Sequence, residues 1–442
     1  MKSQAAYSRA VLAIFSLFMI VSPLPVVGQT LSSNDRSAGH FMLRNIKDAI
    51  KKDYYDPTFH GVNLDETFKA ADEKINQATS NGQVFGIIAK AVRSLNDSHT
   101  SFSPPPRALR VSYDWQIQMI GDHCYIMAVK PDTDAEAKGL KPGDILHVVD
   151  GYKLTRENFE PFNYLYHALQ PQPRLSVVVQ SPGEQPRKVD FNASTRQGTK
   201  ELGLTWWDYH ELEWEREEYY WTYAQRFQAF GNDLYIWKMP KFSMPVFQVN
   251  KLVEGARKYK TLILDLRGNR GGYVDTLSQL VGDLFEHDVK LGDRKKRKET
   301  KPLVARTRGH DIFKGQLIVL VDNGSTSASE ILARVVQIEK RGIVIGDRSG
   351  GMVMESRYHP FSIGESSAVF YGASITDADI IMTDGASLEH VGVTPDKIML
   401  PTGADLRDRL DPVLSYAASL AGVKLDPKEA GELFPIKWKL KP

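Results

Sequence analysis

The chain has 442 residues, 42% of them apolar and 25% charged, and a formal net charge of +2. This length allows two or three domains with cores of their own. The small net charge implies no general attraction to nucleic acid or to acidic membranes. Cys124 is the only cysteine, which excludes an intrachain disulfide and a cysteine-based metal site. No metal and no cofactor is expected.

The N-terminus has the pattern of a secretory signal. Lys2 and Arg9 precede the apolar run Ala10–Val21, two prolines end that run, and Gly28 offers a small residue at a plausible cleavage position. The run is shorter than the roughly 20 residues that span a bilayer. A signal peptide over residues 1–28 is favoured over a retained anchor. The sequence thus predicts an exported protein, periplasmic or secreted, with no membrane span after cleavage.

Residues 40–105 are predicted to form a helical N-terminal domain. Apolar side chains recur at spacings of three and four over Phe41–Tyr55, and acidic residues open a second helix at Asn63–Glu66. Val84–Leu95 predicts a third helix, and three prolines then break the chain.

Short strand-like runs follow over residues 110–195, for example Cys124–Val129 and Leu175–Gln180. Residues 196–230 are crowded with aromatic and charged side chains. For this segment a linker packed between domains is favoured over an aromatic ligand platform.

Residues 231–422 alternate between the two element types, which predicts an α/β domain with parallel βαβ units. Strands are predicted at Leu234–Trp237, Thr261–Leu266, Leu317–Val321, Gly342–Ile345, Ala368–Tyr371 and Asp379–Met382, and helices at Thr276–Phe285 and Ala328–Lys340. For the basic run Arg294–Lys298 a solvated loop is favoured over an anion site. Residues 423–442 are predicted to be a C-terminal tail.

Two turns in this domain have the residue types that acyl transfer needs. Ser327 lies between a buried strand and a helix, where free N–H groups favour developing negative charge. The same segment, Ser327–Glu330, also fits a helix capping box that requires no chemistry. Asp265–Gly272 ends another strand, and its glycines would let the backbone approach a substrate.

Two further segments supply proton-transfer groups. His99 follows a helix end in Leu95–Phe102, and a histidine beside a serine could accept its proton. Glu389 lies in the loop Asp384–Asp396, where it could equally be a surface charge. Each segment is weak alone; the four together contain a nucleophile, a base, an acid and oxyanion donors.

The four segments together resemble the C-terminal-processing and tricorn-core serine peptidases of family S41, over roughly residues 41–420. The matching stretches are Leu95–Phe102, Asp265–Gly272, Ser325–Glu330 and Leu388–Asp396. Ala135–Ile145 with Val149–Gly151 is similar to the PDZ domain that these proteins often insert, here over 110–195. The resemblance implies a crotonase-like α/β core, an inserted PDZ module and endoproteolysis near the C-termini of peptide or unfolded protein substrates.

The resemblance also assigns roles to residues of the catalytic centre. It implies that Ser327 is the nucleophile and that the N–H of Ala328 is one oxyanion donor. The second donor is Gly271 or Gly272, and the sequence does not decide between them.

The general base departs from the Ser–Lys branch of the family. That branch has its lysine in the turn that here reads Gly346–Met352, and Met352 stands at the lysine position. Methionine cannot accept a proton. The pair Ser98–His99 instead resembles the tricorn branch, which implies His99 as base, Glu389 as the acid and Ser98 completing the hydrogen bonds.

Two other functions stay open from the sequence. A peptide-binding scaffold that has lost catalysis would explain the missing lysine. A carrier of lipophilic ligands is suggested only by the general fold resemblance. The natural substrate, the recognition of terminal carboxylates by the PDZ-like segment and the oligomeric state are not predicted.

Overall fold

The structure, a computed structural model, describes residues 31–106, 109–197, 224–364, 368–436 and 438. The predicted signal peptide and most of the predicted linker 196–230 lie outside these ranges. The chain divides into two compact units. The first comprises Met1–Arg107, Leu154–Pro173 and Glu355–Ala378, and the second comprises Ala108–Lys153, Arg174–Met354 and Asp379–Pro442.

The elements of the described ranges are numbered in chain order. The α-helices are α1 Ser33–Asp53, α2 Leu64–Ile75, α3 Asn81–Arg93, α4 Asp134–Ala137, α5 Arg156–Tyr164, α6 Val246–Ala256, α7 Val274–Gly282, α8 Ala328–Ile338, α9 Gly403–Arg407, α10 Pro412–Leu420 and α11 Pro427–Leu433. The strands are β1 Ser101–Ser103, β2 Leu109–Ser112, β3 Trp115–Ile120, β4 His123–Val129, β5 Ile145–Val149, β6 Tyr152–Lys153, β7 Arg174–Gln180, β8 Arg187–Asn192, β9 Ser194–Gln197, β10 Arg226–Phe230, β11 Leu234–Lys238, β12 Thr261–Asp265, β13 Val289–Lys295, β14 Thr300–Ala305, β15 Gln316–Val321, β16 Gly342–Gly346, β17 Met354–Ile363, β18 Val369–Ile381 and β19 Lys397–Ile398.

The first unit contains the three helices that apolar spacing predicted. Helix α1 begins earlier than expected, because Ser32 and Asp35 form a capping box at its N-terminus. Its buried stripe includes Met42, Ile46 and Ile50, which are at most 4% exposed, and α1, α2 and α3 contact one another. Strand β1 then pairs antiparallel with the middle of β18. This pairing anchors the end of the loop that contains His99.

The second unit is built around a six-stranded sheet with the order β10-β11-β12-β15-β16-β19. Strands β11, β12, β15 and β16 pair in parallel, as the alternation of strands and helices predicted. Alternate strand residues enter two cores: one contains side chains of α6, α7 and α8, and the other those of α10 and α11. All five residues of β12 are buried, as expected for a strand covered on both faces. The carboxyl ends of β12, β15 and β16 lead into the three loops of the candidate site.

A second, antiparallel sheet in this unit has the order β3-β4-β5-β7-β8, with β6 paired to β5. It falls within the segment predicted to be PDZ-like. Its β3–β4 hairpin is hydrogen-bonded to two loops of the parallel sheet. The Gln118 side chain donates to Asp322 (2.6 Å), and the Gly121 N–H donates to Asp347 (2.9 Å).

One local prediction was confirmed in part and another was wrong. Of the run Arg294–Lys298, predicted to be a loop, residues 296–298 lie in the connection between β13 and β14, whereas Arg294 and Lys295 end β13. The two short strands predicted near 370 and 380 are one strand, β18. In β18 the residues between the two predicted segments, 372–378, are mostly small or polar although most are buried, so they interrupt the apolar pattern that sequence analysis follows. Over the ranges described above, no helix is long and apolar enough to cross a bilayer.

Candidate active site

Ser327 is the last residue before α8 and has an unusual backbone conformation. Its φ is 58° and its ψ is −119°, a region that glycine adopts freely and that costs other residues about 1–3 kcal/mol. Its N–H donates to the carbonyl of Met352 (2.9 Å). The turn thus presents the Ser327 side chain at the carboxyl end of the sheet in a strained conformation held by its neighbours.

The three serines of this loop differ in exposure. Ser325 and Ser329 are fully buried, and their hydroxyls donate to the carbonyls of Leu266 (2.8 Å) and Asn269 (2.9 Å). Ser327 is only half-buried. Of the three, Ser327 is therefore the hydroxyl that a substrate can reach.

The glycine loop after β12 is organised by Asn269, whose side chain is fully buried. Its amide nitrogen donates to the Met239 carbonyl (2.7 Å), and its amide oxygen accepts the Gly271 N–H (2.8 Å). Its own carbonyl accepts the N–H of Thr326 (3.0 Å). Asn269 thereby joins the glycine loop to the loop that contains Ser327.

Gly271 and Gly272 lie where side chains would not fit. A Cβ at Gly271 would be 2.7 Å from the Ser327 Cβ and 2.9 Å from the Ala328 nitrogen, and one at Gly272 would be 2.1 Å from the Phe242 carbonyl oxygen. Within the described ranges, the N–H groups of Ala328 and Gly272 have no hydrogen-bond acceptor. Two backbone donors are thus available beside Ser327.

A buried ion cluster fixes the start of the glycine loop. Asp265, fully buried, accepts hydrogen bonds from the guanidinium of Arg267 (2.8 Å) and the ammonium of Lys238 (3.1 Å). Arg267 also binds Asp411 at the N-terminus of α10 (2.7 Å). Burial opposes the ionisation of Asp265, but the charges of Arg267 and Lys238 outweigh burial and hold its pKa well below 3.8.

Glu330 lies in the first turn of α8 and is also fully buried. It accepts the Ser327 N–H (3.0 Å), which is the carboxylate half of the capping box that the sequence suggested. It also accepts three donors from the turn that follows β16, at Ser349, Gly351 and Met352. Burial raises the pKa of Glu330 to about 7, and these hydrogen bonds offset part of the rise.

Glu389 contacts the residue after that turn. Its side chain is 9% exposed and 3.6 Å from the His390 ring, and its carboxylate accepts the Val353 N–H (2.8 Å). The Met352 carbonyl bound to Ser327 immediately precedes this amide. In the second unit the structure therefore gathers Ser327, Ala328 and the two glycines, and joins Glu389 to them through the 352–353 backbone.

Ser98 and His99 belong to the first unit. Ser98 Oγ is 2.7 Å from His99 Nδ1. The loop is shaped by the buried Asp97, which accepts the N–H groups of His99 (2.9 Å) and Thr100 (2.6 Å) and the Tyr54 hydroxyl (2.9 Å). Burial lowers the pKa of His99, and the charge of Asp97 opposes this shift. The pairing of His99 with Ser327 stays a prediction.

Sequence analysis missed three residues that shape these loops: Asn269, Glu330 and Asp97. Each was part of a motif but was not assigned a role. The capping-box spacing indicated Glu330, while nothing in the sequence signals that the other two side chains are buried. The described residues hold no group of three or more histidine, cysteine or carboxylate side chains suited to a metal ion.

The family description of Peptidase family S41 matches residues 235–399, the segment that contains the Ser327 loop, the glycine loop and Glu389. The chloroplastic C-terminal processing peptidase of Tetradesmus obliquus is 23% identical over 384 residues, 79% of this chain and 74% of that protein. Residues 235–399 are therefore assigned to peptidase family S41. The chain is a serine-type peptidase.

Two further similarities concern part of the sequence and the fold. A carboxy-terminal-processing protease of Bartonella bacilliformis is 32% identical over 143 residues, which are 32% of this peptidase and 31% of that protein. A solved structure of mature CPAF has a TM-score of 0.62 at 14% identity, covering 84% of this chain and 94% of CPAF. At that identity the likeness concerns the fold alone.

Proposed function

We propose that this S41 peptidase is an exported endopeptidase that cuts peptides or the C-terminal regions of proteins, with Ser327 as nucleophile and His99 as general base. The main support is the conformation of Ser327, a half-buried serine at φ 58° beside unpaired backbone donors. Backbone strain of this kind clusters at catalytic residues. The names of the two processing relatives support a substrate cut near its C-terminus.

The proposed reaction is acyl transfer. Ser327 Oγ attacks the scissile carbonyl carbon while His99 Nε2 takes the hydroxyl proton. If Ser98 Oγ accepts the proton on Nδ1, this hydrogen bond holds His99 in the tautomer that leaves Nε2 free. Glu389 is the proposed acid that offsets the charge of the imidazolium. His99 then protonates the leaving amine, and water hydrolyses the acyl-enzyme with His99 again as base.

The oxyanion of the tetrahedral intermediate would accept the Ala328 N–H and one glycine N–H. The Gly271 N–H is already bound to Asn269 (2.8 Å). The Gly272 N–H has no acceptor among the described residues, which favours Gly272 as the second donor.

The contacts of Lys238 do not favour it as the general base. Lys238 is in the same unit as Ser327, but its ammonium donates to Asp265 (3.1 Å) and to the Arg267 carbonyl (2.7 Å). Met352 occupies the lysine position of the other branch. These facts favour the histidine at position 99.

The finer architecture is part of the proposal. We assign the parallel sheet and its helices to the crotonase-like class, and residues 110–195 to a PDZ-like module built on the β3–β8 sheet. Export is proposed from the signal pattern of residues 1–28. The non-catalytic PDZ-containing scaffold is the second candidate, and Met352 is the residue that favours it.

Reaction of the purified protein with a fluorophosphonate probe tests the mechanism. The wild type should be labelled, Ser327→Ala should not, and His99→Gln should lower the labelling rate by about 100-fold or more. His147→Gln, a change at another half-buried histidine, should have no effect. Because burial lowers the pKa of His99, the loss of activity that His99 causes in acid should have its midpoint below 6.5.

An unlabelled wild type that also cleaves no peptide library would support the scaffold instead. Labelling that is unchanged in His99→Gln would refute the assigned base. A rate that keeps rising to about pH 9–10 would indicate a lysine base.

A further inference from the structure

The Glu330 carboxylate connects the nucleophile to the turn that follows β16. One oxygen accepts the N–H groups of Ser327 (3.0 Å) and Met352 (2.9 Å). The other accepts the Ser349 hydroxyl (2.6 Å) and the Gly351 N–H (2.7 Å). The Met352 carbonyl in turn accepts the Ser327 N–H (2.9 Å).

A helix cap does not require this arrangement. In a capping box the carboxylate needs to accept only one hydrogen bond, from the N–H of the N-cap residue. Glu429 makes that single bond to Asp426 (3.2 Å) in α11 and is exposed. Glu330 is fully buried and makes three more bonds to residues 19 to 22 positions along the chain. The three additional bonds therefore hold the turn at residues 349–352 and do not serve to cap the helix.

The bonding pattern fits the ionised form of Glu330. Its two oxygens face four donors, which use the acceptor capacity of a carboxylate. If either oxygen of Glu330 were protonated, the new O–H would point at a donor group, and one of the four hydrogen bonds would be lost. Only the Ser349 hydroxyl could rotate to accept that proton, and this hydroxyl already accepts the Val393 N–H (2.6 Å).

We propose that ionised Glu330 is a positioning residue for the reaction of Ser327, holding the Ser327 main chain and the 349–352 turn in one arrangement. This inference rests on the proposed role of Ser327 as nucleophile. The carboxylate keeps the Ser327 backbone at its positive φ, and with it the direction of the hydroxyl and of the Ala328 N–H. Protonation releases the turn and lowers the rate without unfolding the chain.

The surroundings of Glu330 make this ionisation responsive near neutral pH. Its partners are three N–H groups and one hydroxyl, none of which titrates there, and burial raises its pKa to about 7. The ionisable groups on the turn and on the loop packed against it are Asp347, Arg348, Glu389 and His390. Of these, His390 binds the turn through its main chain, donating its N–H to the Gly351 carbonyl (2.7 Å).

The rate of fluorophosphonate labelling of Ser327, measured from pH 5 to 9, tests the inference. The wild type should lose reactivity with a midpoint near 7. Glu330→Gln places an NH₂ against two donors and should react at least about 10-fold more slowly at pH 8, since small misplacements near a reacting atom are costly. Its remaining pH dependence should be that of His99 alone, with a midpoint below 6.5. The control Glu429→Gln should match the wild type.

Ser349→Ala provides a second test that does not depend on the folding of Glu330→Gln. It removes one donor to the charged form, so the midpoint near 7 should move to higher pH. If Glu330→Gln is folded by circular dichroism and labels within two-fold of the wild type with the same pH profile, the inference is wrong. An unmoved midpoint in Ser349→Ala overturns it as well. A wild type that is not labelled at Ser327 refutes the nucleophile itself, which is a different outcome.

Discussion

Asp265 and Glu330 are both fully buried carboxylates of the second unit, yet their pKa values shift in opposite directions. Burial disfavours the charge of both. Asp265 has two cations against it, Arg267 and Lys238, and its pKa falls. Glu330 has only neutral donors, and its pKa rises to about 7. Four hydrogen bonds therefore do not replace a cation in this protein.

The two carboxylates hold different loops beside the same serine. Asp265 fixes the start of the glycine loop through Arg267, and Glu330 fixes the turn at residues 349–352. Because Arg267 and Lys238 lower the pKa of Asp265, this carboxylate stays charged around neutral pH. Glu330, held by neutral donors, changes its charge near neutral pH. The difference predicts a rigid glycine loop and a pH-sensitive turn.

The largest expected effect is the loss of the Asp265 charge. Asp265→Asn would leave Lys238 buried without its counter-ion, and such changes cost about 3 to 5 kcal/mol of unfolding free energy. Urea unfolding at pH 7.5 measures it. The control Asp311→Asn removes the carboxylate of an exposed pair with Arg257, and its midpoint should stay at the wild-type value. If the two variants had the same urea midpoint, the buried ion pairs of Asp265 would not stabilise the protein as argued.

The titration of Glu330 should change the free energy of unfolding over one range of pH. Its native pKa is about 7 and its ordinary value is 4.5, so between these values the native state binds more protons than the unfolded state. The unfolding free energy should therefore fall as pH rises from 4.5 to 7. The full difference is about 3 kcal/mol. Glu330→Gln lacks this titration.

Urea unfolding of the wild type and of Glu330→Gln across that window isolates the contribution. The wild type should lose more stability than the variant as pH rises, while its labelling rate increases. If the unfolding free energy and the labelling rate instead changed in the same direction with pH, the assigned role would be contradicted. A carboxylate with a purely structural role would make the protein both most stable and most reactive in the same protonation state.

A third buried carboxylate, Asp97, provides the smallest test. It shapes the His99 loop, and its charge opposes the lowering of the His99 pKa. Asp97→Asn keeps an oxygen for the N–H donors but removes the charge. The acid midpoint that belongs to His99 should fall further, because the charge that opposes the effect of burial is gone. The measurement is the labelling profile in a Glu330→Gln background, and an upward shift would refute the effect.

Much of the parallel sheet could be predicted from sequence, because a strand buried on both faces is a continuous apolar run. Thr261–Asp265 and Gln316–Val321 show this pattern and flank the loops that were selected. The hairpin β13–β14 and the long strand β18 were less visible. Charged residues interrupt β13 and β14, and small and polar residues interrupt β18, so none of these strands is a continuous apolar run.

Candidate site residues could be selected from the sequence where their motifs are local. Ser327 and Ala328 lie at a strand-to-helix junction, and Ser98 and His99 are neighbours in the chain; their catalytic roles stay predictions. Glu330 was visible only as a cap, since three of its four donors come from residues 349–352. Its burial and its raised pKa depend on that long-range packing, which no local pattern encodes.

The positive φ of Ser327 has a consequence for how such a chain can change over time. Glycine would occupy this position without steric cost, so a chain under selection for foldedness alone gains nothing from a serine there. With Ser327 as the proposed nucleophile, one replacement at this position would end catalysis and relieve the backbone strain together. A non-catalytic descendant that keeps the rest of the molecule is therefore a single, thermodynamically downhill step away.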